Sequence, residues 1–398
     1  MLREQESTGE IMMLIVVFVS NYYNHHQSDF SDAMNAMTDI EYYFIETVPM
    51  TSERKNMGWQ SSGKSTYVLS AYQSGEIRDK CLKIIDNADF VIIGSANDEY
   101  IASRHQKGKF VFHYNERFYK NGCPRWQIPL RYVKNYIRFN RYKNDYLLCA
   151  SAYTAADASI TNSFVGKSYK WGYFPPVKEF NINELFTRKR ANAKVTILWA
   201  GRLIGYKHPD AAILLAEKLK SENLSFSLNI IGSGELEESL KQMIREKKIS
   251  DSVHMLGVKK PEEVREYMEQ SDVFLFTSDF NEGWGAVLNE SMNSACAVVA
   301  SHAIGSVPFL IKQYENGIVY HDGKFEELYN AVRLLIADKG LRENLGRAAY
   351  ETIVNEWNAK IAAERLITLY KDLQNSGTSN TFIDGPCSQA PIIKNEWF

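Results

Sequence analysis

At 398 residues the chain is long for one hydrophobic core and fits two domains of roughly 150–200 residues each. Its 46 Lys+Arg against 48 Asp+Glu leave no global charge that would point to nucleic acid or to an acidic substrate, so local patches carry the signal. The five cysteines (Cys81, Cys123, Cys149, Cys296 and Cys387) are odd in number, scattered and never in a CxxC pair, which argues for reduced thiols and against disulfides or a zinc site.

The apolar run 11–19 is too short to span a bilayer, and the acid-containing lead 1–10 does not resemble the basic start of a signal peptide. The expectation is a soluble, cytoplasmic protein. Residues 11–20 read as a first strand that feeds a polar loop and then a helix over about 29–37. A loop directly after the first strand is where a doubly wound domain places ligand contacts. His25 and His26 lie there, either as solvated loop residues or as contacts on the acceptor side. Being adjacent, they do not share a face, which argues against a two-histidine metal site.

Gly58 to Ser65 matches the phosphate-loop pattern GxxxxGK[ST] letter for letter. A working loop of this kind follows a buried strand directly and opens a helix. Here the polar 51–56 separates it from the strand near 43–48, and the Thr66-Tyr-Val-Leu-Ser that follows is β-like, so the match is rejected. Further strands fit 90–94, 110–113 and 146–150 with helices between them, and such alternation implies a parallel sheet. At the end of one of these strands stands His113-Tyr-Asn-Glu-Arg117, where Glu116 and Arg117 form an internal ion pair or line a cleft.

Residues 117–143 hold Arg117, Lys120, Arg125, Arg131, Lys134, Arg138, Arg141 and Lys143 and no acid. Arg131, Lys134, Arg138 and Arg141 recur at helical spacing beside an apolar line through Leu130, Val133 and Ile137. With Trp126, Tyr132, Tyr136 and Phe139 this pattern suits an anionic membrane surface or a lipid-diphosphate acceptor, the alternative being a solvated charged face. No RNA-binding motif accompanies it, so nucleic acid is not expected as a partner.

Residues 180–193 are polar without a strong period and read as a linker. A second α/β series then opens with a strand at 195–200, the loop Gly201-Arg-Leu-Ile-Gly-Tyr-Lys207 and a helix at 209–220. Arg202 and Lys207, two cations at one strand-helix junction, have the chemistry of a diphosphate clamp, Arg as a bidentate fork and Lys as a point charge. Strand 226–231 runs into Gly232-Ser-Gly234, which lacks the third glycine of GxGxxG, so a nicotinamide site is weakly supported. Strand 253–257, helix 261–269 and the buried strand 273–277 follow. The turn Glu282-Gly-Trp-Gly285 comes next, then a small-residue helix over 286–295 that carries Glu290. Glu282 and Glu290 either border the mouth of an α/β crevice or are surface residues of a capped helix. Helices are expected at 325–337, 341–357 and 359–372, and 375–398 reads as an irregular tail.

Gly201-Arg202, Lys207, Gly232-Ser-Gly234, Glu282-Gly-Trp-Gly285 and Glu290-Ser-Met stand in an order and spacing that resembles family 4 glycosyltransferases, closely over about 195–355. The resemblance implies the GT-B fold, with two Rossmann-like parallel-sheet domains and a nucleotide-sugar cleft between them. The corresponding domains are 1–180 for the acceptor, with 359–398 returning to it, then a linker at 181–193 and 194–358 for the donor. It further implies retaining transfer from a nucleotide diphosphate sugar, a UDP-sugar by preference, with no bound metal or other cofactor. Arg202 and Lys207 then hold the diphosphate, Glu290 the ribose and Glu282 the transferred sugar. Gly283, Gly285 and Ala286 approach sugar and phosphate through their amides, beside Gly232 and Gly234, and Leu256 lies near the base.

The first half departs from the family pattern, which has a glycine-rich first loop and a mid-domain histidine. Glu116 and His113 rank above His25 for that histidine's work, and His25, His26, Arg131 and Lys134 remain acceptor-side candidates. The style of this half resembles enzymes of bacterial surface polysaccharide synthesis. The expected function is thus transfer of a sugar to a glycan or lipid-linked acceptor, at the inner face of the cell membrane. A GT-B epimerase or phosphorylase, or a non-catalytic GT-B scaffold, is the alternative.

Overall fold

The structure is a computed structural model that describes residues 13–52, 65–120 and 122–398. The 1–10 lead and most of the Gly58 to Ser65 pattern lie outside the described residues. Two compact units result: the described part of Met1–Tyr114 with Asn140–Tyr146, and Asn115–Phe139 with Leu147–Phe398.

The first sheet contains β1 (Leu14–Ser20), β2 (Ile40–Glu46), β3 (Val68–Ser70), β4 (Phe90–Ile93), β5 (Phe110–Asn115), β6 (Asp145–Cys149) and β7 (Ser168–Lys170). Its order is β3-β2-β1-β4-β5-β6-β7, and β1 pairs in parallel with both β2 and β4. Val17, Val19, Ile45, Val91, Ile93 and Val111 share one buried cluster, as a sheet covered by helices requires. Each such side chain stabilises the fold by roughly 1.5–3 kcal/mol relative to exposure.

The second sheet contains β8 (Val195–Ala200), β9 (Phe226–Ile231), β10 (Val253–Gly257), β11 (Val273–Phe276), β12 (Ala297–Ser301) and β13 (Ile318–Tyr320), in the order β10-β9-β8-β11-β12-β13. Its strand pairings are parallel. The strand order reverses between β8 and β11, so the loops leaving these two neighbours diverge to opposite sides. In an open parallel sheet that divergence opens the crevice in which ligands bind.

One stretch differs from the sequence expectation, and two others gain detail. Residues 180–193 contain a helix, Ile182–Arg190, because Asn181 caps it and Leu185 and Phe186 pack with Ala295 and Tyr350. The basic stretch folds as the helix Ile128–Asn135 continued by a π-helical turn, Tyr136–Asn140. Leu130, Val133 and Ile137 on it are exposed, and Phe139, packed against Phe164, is the buried anchor. The tail is irregular yet fixed to the edge of β7: Cys387 donates to the Lys170 carbonyl and Lys170 to that of Ser388, each at 2.8 Å. No helix among the described residues is long and apolar enough to cross a membrane.

Candidate active site

Arg202 and Lys207 leave β8 on one side of the crevice. Gly201 and Leu203, which flank Arg202, are held by the loop after β9: the Leu203 amide donates to Ser233 at 2.9 Å, and the Leu236 amide to Leu203 at 3.0 Å. A Cβ on Gly232 would lie 1.9 Å from the Gly201 carbonyl oxygen, and one on Gly234 would lie 2.4 Å from that of Leu203. Both glycines are therefore required by backbone packing, and they act on the site by fixing where Arg202 stands. Arg202 is exposed, donates to the Tyr206 hydroxyl at 3.1 Å, and has no carboxylate within ion-pair distance among the described residues. Its charge is thus available to an incoming anion.

Lys207 ends a short 3-10 turn, Gly205–Lys207, and His208 turns the chain through φ 47° into the helix Pro209–Ser221. Thr277, at the end of β11, ties the two loops together: its hydroxyl donates to the Lys207 or His208 carbonyl (2.7 and 3.1 Å) and accepts from Trp199 Nε1 at 2.9 Å. This clamp brings Lys207 Nζ onto the Glu282 carboxylate. Ser278 Oγ donates to the same Glu282 oxygen at 3.1 Å. Both members of the pair are largely shielded, at 13% and 12% side-chain exposure, so their attraction is screened far less than on an open surface.

Glu116 faces the same turn. Its Oε2 lies 2.0 Å from where a Cβ on Gly283 would stand, so glycine is what lets the carboxylate sit against the backbone beside Glu282. Tyr173 donates its hydroxyl to Glu116 Oε1 at 2.6 Å, and Lys120 Nζ donates to Oε2 at 2.9 Å. Tyr173 is itself positioned by Asn289, whose Nδ2 donates to its carbonyl at 3.3 Å and whose Oδ1 accepts from the buried Trp284 indole at 2.9 Å. Glu116 and Arg117 do not pair with each other. Arg117 forks onto Asp157 at 3.0 and 3.2 Å and lies over the Tyr153 ring, which leaves Glu116 to the site.

Gly285 turns through φ 79° into the helix Val287–Asn293, with Ala286 at its cap position. Glu290 lies in the first turns of that helix, where burial raises its pKa and Arg265 opposes the rise. Leu256 is half-buried in β10, the edge strand of the sheet.

His113 is 2% exposed inside the first unit with its Nε2 2.8 Å from Asp145 Oδ2, so it presents no accessible imidazole to a substrate and the catalytic expectation for it is withdrawn. His25 and His26 open the helix His25–Asn35, with Asn24 Oδ1 accepting from the His26 amide at 2.9 Å. Arg131 is held by Gln127 and lies over the Tyr119 ring, while Lys134 is exposed. Tyr173, Ser278 and Asn289 were missed by sequence reasoning. Only Ser278 had a local signal, its place at the end of β11, because Tyr173 reaches the site through tertiary packing alone.

Residues 181–352 match the family described as glycosyl transferases group 1, so the chain carries a domain of that class over these residues. An uncharacterized glycosyltransferase of Haemophilus influenzae is 31% identical over 170 residues, 41% of this chain and 47% of that protein. The amylovoran biosynthesis glycosyltransferase AmsK of Erwinia amylovora is 30% identical over 203 residues, 49% of this chain and 48% of that protein. The chain spans about half the length of the curated relatives it matches. Among solved structures, HepE of Anabaena in complex with UDP superposes with a TM-score of 0.64 at 12% identity, covering 91% of this chain and 100% of that one. TarM gives 0.64 at 12%, covering 90% and 99%. At these identities the likeness is one of fold, and that fold is GT-B.

Proposed function

We propose that the protein is a retaining glycosyltransferase that moves a sugar from a UDP-sugar to a glycan or lipid-linked saccharide in cell-surface polysaccharide synthesis. The observation that carries this reading is the Lys207–Glu282 pair at the crevice between β8 and β11, with Arg202 beside it and Glu116 against Gly283. The UDP complex of HepE and the amylovoran biosynthesis in the name of AmsK support the choice of donor and pathway class.

In this mechanism the donor diphosphate enters beside Arg202 and takes Lys207 from Glu282. Lys207 exchanges a carboxylate for a phosphate oxygen, and Glu282, held by Ser278, turns to the sugar hydroxyls. As the bond from the anomeric carbon to the phosphate oxygen breaks, negative charge grows on the departing diphosphate. Arg202 and Lys207 are pre-placed to stabilise it, so the step needs no metal or other cofactor. Glu290 accepts hydrogen bonds from the ribose hydroxyls, Leu256 borders the base, and the Gly283 to Ala286 amides approach sugar and phosphate. Glu116, oriented by Tyr173, accepts the proton of the acceptor hydroxyl as that oxygen bonds to the anomeric carbon on the face the diphosphate leaves, so that the configuration is retained. His25 and His26 stay as acceptor-side candidates. The anomeric configuration of the product, read by nuclear magnetic resonance, tests the reading.

The same proposal places the protein peripherally on an anionic cytoplasmic membrane face. Trp126 and Leu130 are 78% and 74% exposed, and Val133 and Ile137 continue the apolar stripe along the helix beside Arg125, Lys134 and Arg138. Aromatic and aliphatic side chains flanked by cations suit the interface between headgroups and acyl chains. Vesicles with anionic lipid are expected to sediment the protein and neutral ones to do so weakly, each nearby Lys or Arg being worth about 1 kcal/mol. Trp126→Ser with Leu130→Ser should abolish sedimentation. Equal binding to both vesicle types, or by the variant, would contradict the membrane assignment.

A further inference from the structure

His105, His113 and Asp145 meet inside the first unit. His105 lies in the helix Ala102–Gln106, His113 in β5, and Asp145 opens β6. Nε2 of His105 is 3.0 Å and Nε2 of His113 is 2.8 Å from the same oxygen, Asp145 Oδ2. The three side chains are 8%, 3% and 2% exposed, and their ligating atoms all lie within 4.8 Å of one another. Tyr142 stacks on the His105 ring at 3.7 Å and fixes its plane. The other carboxylate oxygen, Oδ1, is buried with no hydrogen-bond partner among the described residues. A purely hydrogen-bonded cluster thus uses one oxygen twice and leaves its twin unsatisfied, which buried carboxylates avoid.

We propose that these residues form a binding site for a divalent transition metal ion of the zinc type, held by His105 Nε2, His113 Nε2 and the Asp145 carboxylate. Two imidazoles and one carboxylate suit zinc or cobalt, whereas magnesium and calcium take oxygen ligands. Metal bonds of ~2.0–2.2 Å in a tetrahedral shell set ligand atoms roughly 3.3–3.6 Å apart, so the cluster opens by a few tenths of an ångström. Each imidazole then presents its Nε2 lone pair, and the protons now shared with Oδ2 move to Nδ1 or to solvent. The ion joins β5, β6 and the Ala102–Gln106 helix at one point, a structural role separate from the transfer chemistry. The cysteine spacing and the adjacent His25-His26 pair gave no sign of it, because the ligands come from three elements.

The test titrates Co²⁺ into the tag-free, EDTA-stripped full-length chain and reads visible d–d absorption. One equivalent per chain is expected, displaced by Zn²⁺, with Zn²⁺ but not Mg²⁺ raising Tm by about 5 °C at saturating metal. His105→Asn, at the most exposed of the three ligands, should fold and lose the band, while His25→Ala with His26→Ala should keep it. Absence of the band and of the Tm shift would overturn the proposal. So would a band that survives His105→Asn or disappears with the His25 and His26 changes.

Discussion

Replacing Lys207 with alanine is expected to lower kcat by about 10²–10³-fold, the loss typical when one pre-placed donor to a developing anion is removed. Diphosphate affinity should fall as well, by ~10–100-fold, because a charge-assisted bond of ~1.5–3 kcal/mol is lost. The fold should survive, since Thr277 holds the loop through carbonyl oxygens and not through the lysine side chain. Steady-state kinetics of donor turnover read the change directly. A Lys207→Ala enzyme with unaltered kcat would remove the lysine from the transition state.

Gly283→Ala should separate the acceptor side of the chemistry from the donor side. The added methyl would stand 2.0 Å from Glu116 Oε2, so either the carboxylate or the turn must move. A displacement of about 1 Å at a reacting group costs ~10²-fold in rate. Arg202 and Lys207, the two cations proposed for the diphosphate, sit on the other loop, so UDP binding should weaken far less than transfer although the Gly283 to Ala286 amides approach the donor. The expected signature is thus a large fall in transfer with a much smaller change in Kd for UDP. Glu116→Gln keeps the side chain's shape and the Tyr173 bond and should reproduce the rate loss. Normal transfer by both variants would place Glu116 outside the reaction.

The second sheet was legible in the sequence almost to the residue. The runs at 195–200, 226–231 and 253–257 coincide with β8, β9 and β10, since each is a short apolar-rich segment ended by a polar loop. The loops that carry the proposed donor contacts were equally legible. Its chemistry lies at strand ends, so Arg202, Lys207 and Glu282 could be placed from local pattern once β8 and β11 were recognised. Adjacency of those two strands, which brings Lys207 onto Glu282, is a property of the sheet order alone.

What local pattern does not hold is long-range juxtaposition. Nothing near Glu116 announces Gly283 or Tyr173, and nothing near His113 announces His105 and Asp145. His113 shows the resulting error: at a strand end it had the chemistry of a catalytic group, yet its strand face turns it into the buried interior. The helix Ile182–Arg190 was hidden for a related reason. Only its Leu185 and Phe186 supply an apolar face, and that face acquires meaning from Ala295 and Tyr350. The Leu130, Val133 and Ile137 line was read correctly as a stripe, but its exposure is visible only in three dimensions.

The stereochemistry of one product tests retaining transfer most directly. Purified protein is incubated with a panel of UDP-sugars and a lipid-linked or glycan acceptor, with and without EDTA, and the isolated product is examined by nuclear magnetic resonance. The account predicts a new glycosidic bond whose anomeric configuration matches that of the donor, formed at the same rate when EDTA is present. A product of inverted configuration, or donor consumption that yields only an epimer or requires free phosphate, would contradict it.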